Sequence, residues 1–224
     1  MKTTLSPKAL LRRRLLLGGA AAGVAATPVQ LLAQAALLTP RQTEGPFYPT
    51  TLPADQDNDL VSVKGSAARA KGEITHLSGR VLDSRGRPLR AVRVEIWQCD
   101  DNGRYLHPGD RGGLDRDPNF QGFGHYVTAE DGSYSFRTIK PVPYPGRTPH
   151  IHFKLRSREF PEFVTQMYIS GHPQNSSDML LGSVRDPKAR ASLMANFQSI
   201  KGEGGAMEWT AQFDLVLGVT PPQA

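Results

Sequence analysis

His150 and His152 stand two apart in Pro149-His150-Ile151-His152-Phe153. On a β-strand, residues at that spacing share a face, so two imidazoles can converge on one metal ion. Immediately upstream, Pro141, Pro143, Pro145 and Pro149 stiffen the segment that leads into the pair, and a stiff backbone suits a preorganised site. No Asp or Glu occurs between Asp131 and Glu159. The nearby oxygen donors are therefore phenols: Tyr144 in the proline-rich loop and Tyr105 in Asp101-Asn102-Gly103-Arg104-Tyr105. A phenol with an ordinary pKa of about 10 stays ionised at neutral pH only beside a strong Lewis acid. Ferric iron is the natural partner, since two phenolates and two imidazoles leave a single positive charge that a hydroxide would cancel. A zinc or copper site is an alternative, and a bare His-x-His pair also occurs as an ordinary sheet-face feature.

The elements around these residues read as β-structure. Val92, Val94 and Ile96 alternate with Arg93, Glu95 and Trp97, the period of a half-buried strand. Ile74–Asp83, Ser133–Ile139, His150–Leu155, Phe163–Ile169 and Met207–Leu217 have the same character. Ser84–Pro88 and Asp131-Gly132 read as turns between them. Asp186–Ser199, with Ala189, Leu193 and Phe197 four apart, predicts one helix in the C-terminal half. The expected fold is all-β: a single antiparallel β-sandwich over residues 73–224 with long loops, preceded by an extended arm over residues 36–72. His107 and His125 read as polar loop residues, Cys99 as a small buried side chain, and Trp97 and Trp209 as core aromatics.

The chain has 224 residues, enough for one domain with its own core. One cysteine excludes a disulfide framework within the chain and a Cys-based zinc or iron–sulfur centre. Of the net charge of +6, five units come from Lys2, Lys8, Arg12, Arg13 and Arg14, with no acid before Glu44. The rest of the chain is nearly neutral and has no electrostatic footprint for nucleic acid. Arg12-Arg13-Arg14, the Ala-, Gly- and Leu-rich run over residues 15–34 and the small-x-small triplet Ala33-Gln34-Ala35 form an export signal over residues 1–35. The paired arginines resemble the twin-arginine type, which carries proteins already folded. The expected location is exported, periplasmic or extracellular, of bacterial type. Glycine, glutamine and proline interrupt the apolar run, so no stable membrane span is expected once the signal is removed.

Thr43–Pro49, Gly79–Asp83, Val94–Gln98, Gly103-Arg104-Tyr105, Asp131–Pro145 and Pro149–Phe153 occur in the order found in the intradiol ring-cleavage dioxygenases, and the chain resembles that family over about residues 42–217. The likeness is strongest to the catalytic chain of its protocatechuate-cleaving branch. The resemblance implies a β-sandwich holding non-haem Fe(III) through Tyr105, Tyr144, His150 and His152. It implies that Arg147, three residues before the first histidine, stabilises charge on the ring, and that Gln166 of Thr165-Gln166-Met167-Tyr168 faces the same region. The implied reaction cleaves a catechol-type diphenol with O2 between its hydroxylated carbons, giving a cis,cis-muconate-type diacid, with Tyr144 leaving the metal as a base. The loop from Tyr144 to His150 is shorter than in the protocatechuate branch, and Gly146 stands where that branch has tryptophan, so the pocket is expected to be reshaped. A homo-oligomer is possible, and Thr43–Tyr48 could supply pocket wall. The competing class is an exported transthyretin-like sandwich that binds a ligand without catalysis.

Overall fold

A computed structural model describes residues 37–218; the export signal expected over residues 1–35 lies outside the described residues. Two five-stranded sheets face one another. One sheet contains β1 (Ile74–Asp83), β4 (Ser133–Ile139), β8 (Phe197–Lys201), β9 (Met207–Gln212) and β10 (Leu215–Leu217). The other runs in the order β3 (Phe123–Val127), β2 (Arg93–Trp97), β5 (His150–Arg156), β6 (Phe163–Ile169) and β7 (Met194–Ala195). The sheets are mixed rather than purely antiparallel. β1 runs antiparallel to β4 but parallel to β9 and β10, and β6 runs parallel to β7.

Between the sheets lie Leu77, Val81, Val94, Ile96, Phe136, Ile151, Phe153 and Leu155, all buried. Burying each such side chain contributes about 1.5–3 kcal/mol, so this face alone orients β2 and β5. Alternation then forces His150, His152 and Lys154 onto the outer face of the second sheet. That face would ordinarily meet water. Here it is covered, which is why β5 and β6 are buried on both sides.

The cover is the N-terminal arm. Gln42 N–H donates to Val164 O (2.9 Å), Thr165 Oγ1 to Pro40 O (2.7 Å) and Gln166 Nε2 to Thr43 O (3.0 Å). Tyr48 donates to the buried Glu95 (2.9 Å) while its ring lies under Lys154 Nζ (3.5 Å), and Lys154 pairs with Glu44. A second apolar cluster forms beneath the arm, with Phe47, Tyr48, Val142 and Tyr144 packed on Trp97, Cys99, Tyr105, Phe123 and Val164.

The predicted helix over Asp186–Ser199 is cut short. Asp186 caps α2 (Pro187–Ala191), which ends at Ser192. Leu193 O then accepts from Tyr168 N–H and Ala195 O from Ser170 N–H (both 2.9 Å), so the chain leaves the helix to extend the second sheet. Phe197–Lys201 pairs with β9. Sheet pairing here outweighs the helical spacing of Ala189, Leu193 and Phe197. A short α1 (Met179–Gly182) precedes α2. Among the described residues, no helix is long and apolar enough to cross a membrane. His125 belongs to β3 opposite Glu95 rather than to a loop. Trp97 is buried but packs beneath the arm, outside the inter-sheet core. Trp209 is only half-buried, with Lys140 Nζ 3.5 Å from its ring centroid.

Candidate metal centre

The four ligand candidates meet on the outer face of the second sheet. Tyr105 Oη lies 3.2 Å from His150 Nε2, and His150 Nε2 lies 3.2 Å from His152 Nε2. The Tyr144 ring sits 5.4 Å from the His150 ring and edge-on to Tyr105 at 5.5 Å. Among the described residues there is no cluster of three His, Cys, Asp or Glu side chains that could hold a metal. Phenol oxygen must therefore complete any donor set built on the two imidazoles.

Each donor is held by its own local structure. In the tight turn before Tyr105, Asp100 Oδ1 accepts the N–H groups of Asn102 and Arg104 (both 2.9 Å). The Tyr105 N–H itself donates to Asp110 (2.7 Å), and the Phe47 ring lies over Tyr105 at 5.0 Å. Tyr144-Pro145-Gly146-Arg147 closes on an Arg147 N–H to Tyr144 O bond of 3.0 Å, with Gly146 at φ +81°. Proline second and a positive-φ glycine third is the pattern of a type II turn, and it brings the Arg147 guanidinium back beside Tyr144 (Nη1 to Oη, 3.4 Å). His150 Nδ1 is bonded to Thr148 O at 2.7 Å. Facing a carbonyl, that nitrogen must carry the proton, so Nε2 presents its lone pair to the site. His152 faces Trp97 and Gln166 across the neighbouring strands, and the Trp97 ring stacks on its imidazole at 4.6 Å and 11°.

The electrostatics suit a cation. Burial pushes the His150 imidazole down to about 3 and that of His152 well below its ordinary value, so both offer lone pairs at neutral pH. With Nδ1 donating to Thr148 O, His150 Nε2 keeps a free lone pair 3.2 Å from His152 Nε2. Burial also raises Tyr105 well above the ordinary phenol value, and it raises Tyr144 despite the opposing Arg147. Phenolates form here only beside a compensating positive charge. A hard, highly charged ion fits this set of imidazole and phenol donors; a soft one does not.

Arg147 and Gln166 are joined by a 2.6 Å bond from Nη2 to Oε1, and Gln166 Nε2 is tied to Thr43 O in the arm. Sequence reasoning missed four residues that shape the centre: Thr148 through its carbonyl, Trp97 as the stacking plane, Tyr168 opposite His150, and Asp178. Two carried a signal: Trp97 shares the outward alternation of β2, and Tyr168 stands two residues after Gln166 on the same face of β6. Asp178 is 31 residues from Arg147 in sequence, yet bonds it at 2.8 Å. Of the other histidines, His172 Nδ1 lies 3.3 Å from the Thr148 hydroxyl and His107 is part-buried beside Phe47 (5.8 Å between rings), while His125 lies on the far strand β3. A cleft of about 410 Å³ reaches Tyr105 between Thr50, Thr51, Leu106 and His107.

A family profile described as dioxygenase matches residues 43–219. The chain is 37% identical over 186 residues to the protocatechuate 3,4-dioxygenase β chain of Burkholderia cepacia, covering 79% of this chain and 78% of that one. It is 30% identical over 199 residues to the hydroxyquinol 1,2-dioxygenase of Rhizobium sp. (strain MTP-10005), covering 77% of this chain but only 62% of that one. Among solved structures, the dioxygenase domain of a dioxygenase–carbohydrate-binding fusion from Streptomyces sp. SirexAA-E superposes with a TM-score of 0.61 at 34% identity, over 82% of this chain and 99% of that one.

Proposed function

The chain belongs to the intradiol ring-cleavage dioxygenase family of oxidoreductases, and from that premise we propose that it cleaves an uncharged catechol between its hydroxylated carbons with O2, using non-haem Fe(III) held by Tyr105, Tyr144, His150 and His152. The observation that carries the ligand set is the commitment of His150 Nδ1 to Thr148 O, which turns Nε2 toward His152 Nε2 and Tyr105 Oη, each 3.2 Å away. Ferric iron, when bound, supplies the Lewis acidity that ionises both phenols and the substrate hydroxyls.

The chain's own groups then have distinct tasks. Tyr105, stacked under Phe47 and hardly exposed, is the fixed phenol. Tyr144 is more open than Tyr105, so its Oη is the one that takes a proton from a substrate hydroxyl. The Arg147 guanidinium faces the same space, where negative charge develops on the ring; a preorganised donor of this kind supplies several kcal/mol. Gln166 keeps Arg147 on that line, and Phe47 with Trp97 excludes water from the donor set.

The reading of the substrate as uncharged rests on where the cations are. Arg147 is paired with Asp178, and Lys154 is buried against Glu44 and the Tyr48 ring. Arg104 binds the carbonyls of Gly112 and Asp110, and Lys140 belongs to the other sheet, beside Glu73. A ring carboxylate would enter without a free partner among these four, at a cost of several kcal/mol. Oxygen uptake with catechol, 4-methylcatechol, hydroxyquinol and protocatechuate tests both parts. No uptake with any of them overturns the activity. A preference for protocatechuate above about tenfold in kcat/KM, roughly 1.4 kcal/mol, overturns the substrate class.

Export through the twin-arginine route is part of the same proposal, motivated by Arg12-Arg13-Arg14 ahead of a mild apolar run. Replacing all three arginines with lysine should leave precursor in the cytoplasm; unchanged export overturns it.

A further inference from the structure

Asp178 has no side-chain exposure, and both of its oxygens are fully engaged. Oδ1 accepts the Leu181 N–H (2.9 Å) and so caps α1. Oδ2 accepts Arg147 Nε (2.8 Å) and the Thr148 N–H (3.0 Å). One buried carboxylate thus joins α1 to two adjacent residues of the loop between Tyr144 and His150. Through Arg147 it holds the guanidinium whose other ends reach Gln166 Oε1 (2.6 Å) and Tyr144 Oη (3.4 Å). Through Thr148 it fixes the peptide whose carbonyl sets the His150 tautomer (2.7 Å). The Thr148 hydroxyl is itself tied to Asn175 (2.7 Å) in the turn before α1.

We infer that Asp178 is a positioning residue for Arg147 alongside Gln166: it aims the guanidinium at the reacting ring without touching the substrate, and it requires a carboxylate to do so. The inference rests on the proposed role of Arg147. The need for a carboxylate follows from the donor count. All three partners are N–H groups, and they approach both oxygens. An asparagine offers one acceptor and one NH2. If its oxygen caps Leu181, its NH2 meets Arg147 Nε and the Thr148 N–H, donor against donor. If it is flipped, the cap is lost and Leu181 N–H faces a donor. A serine keeps the cap, for which it is well suited, but leaves Arg147 without its anion.

The test is a double-mutant cycle on the iron-loaded enzyme with an uncharged catechol as substrate. Asp178→Asn and Asp178→Ser should each lower kcat by about 10–100-fold, the range for loss of an orienting partner, with KM changed much less. Iron content and the visible tyrosinate band should be retained. In an Arg147→Ala background the same substitutions should lower kcat several-fold less than in the wild type, because the group they aim is already gone and only the Thr148 contact remains. If Asp178→Asn does not fold, Asp178→Ser preserves α1 and provides the same readout. Full multiplicative losses in the Arg147→Ala background would show that Asp178 acts elsewhere and would overturn the inference. So would wild-type kcat in both single variants. If Arg147→Ala alone retains wild-type kcat, the reading of Arg147 fails instead, and the cycle distinguishes the two failures.

Discussion

At His152, neighbours from three parts of the chain hold one imidazole. Trp97 stacks on it from β2, His150 meets its Nε2 from the same strand, and the arm passes so close at Gly45 that a Cβ there would come to 3.6 Å from Cε1. A ring fixed this firmly loses little entropy on taking a metal, so truncating it removes both a donor and that preorganisation. His150→Ala and His152→Ala should each retain less than about a tenth of the wild-type iron after dialysis, measured by metal analysis, following the 10–100-fold losses typical of disturbed ligand shells. Gly146 is the neighbouring sensitive point. At φ +81° a side chain costs about 1–2 kcal/mol, although no atom within 4 Å would clash with a Cβ there. Gly146→Ala should lower stability by about that amount in urea titration, and should lower kcat more than iron content, because Arg147 moves while the histidines stay.

At the scale of elements, β1 carries a demand that its own pattern conceals. A Cβ on Gly79 would fall on the Phe213 carbonyl, which also accepts the Tyr134 hydroxyl. Gly79→Ala should therefore destabilise by several times the ordinary glycine-to-alanine effect of about 1 kcal/mol, seen as a lowered thermal midpoint. The turn after β1 gives a pH signature. Burial alone would raise the Asp83 carboxyl, yet the Arg87 N–H and guanidinium and the Arg85 N–H outweigh it and hold the group below 3.8. Because the folded value is the lower one, the unfolded chain binds the extra proton first. This stabilisation is complete above about pH 5 and is lost as pH falls through the folded value. The urea midpoint of the wild type should fall more between pH 5 and pH 2 than that of Asp83→Asn.

The elements also show what could be read in advance. β1, β4 and β6 match their predicted bounds, because alternation and flanking turns are local signals. β3 escaped notice, since Phe123-Gly124-His125-Tyr126-Val127 does not alternate and pairs only through β2. The helix over Asp186–Ser199 failed because Leu193 and Ala195 bond to Tyr168 and Ser170, and no local pattern reports such a partner. The ligand candidates were legible because they sit in short, distinctive motifs, and the structure brings them together. Asp178 was invisible, since a lone aspartate before a four-residue helix looks like any cap until Arg147 is seen against it.

At the scale of the whole molecule, the centre lies between the outer face of a sheet and the arm that crosses it. The latch is electrostatic and aromatic: Glu44 on Lys154, and Tyr48 between Lys154 and Glu95. Lys154 is almost wholly buried and, among the described residues, has only the longer carboxylate contact to Glu162 (3.7 Å) besides Glu44, so losing Glu44 weakens the cover without touching a ligand. Glu44→Gln should release iron to a chelator several-fold faster than wild type, with an unchanged far-UV spectrum, because loosening one latch opens the covering segment more often.

The arm's partners are distant along the chain. Thr165 and Gln166 bond to residues 125 and 123 positions before them, and Tyr168 to Gln42, 126 positions away. Synthesis releases the arm first, but its docking surface exists only after β6 has emerged. Closing so long a loop is slow compared with pairing β5 to β6, which are joined by a short connection. The arm is therefore the last piece to settle, and until then the two imidazoles are roofless. Newborn chains should therefore pass through an interval of free ion exchange that mature ones lack. In a refolding time course, chelator added before the arm docks should strip the protein completely, while the same dose added afterwards should act only at the slow rate of native opening.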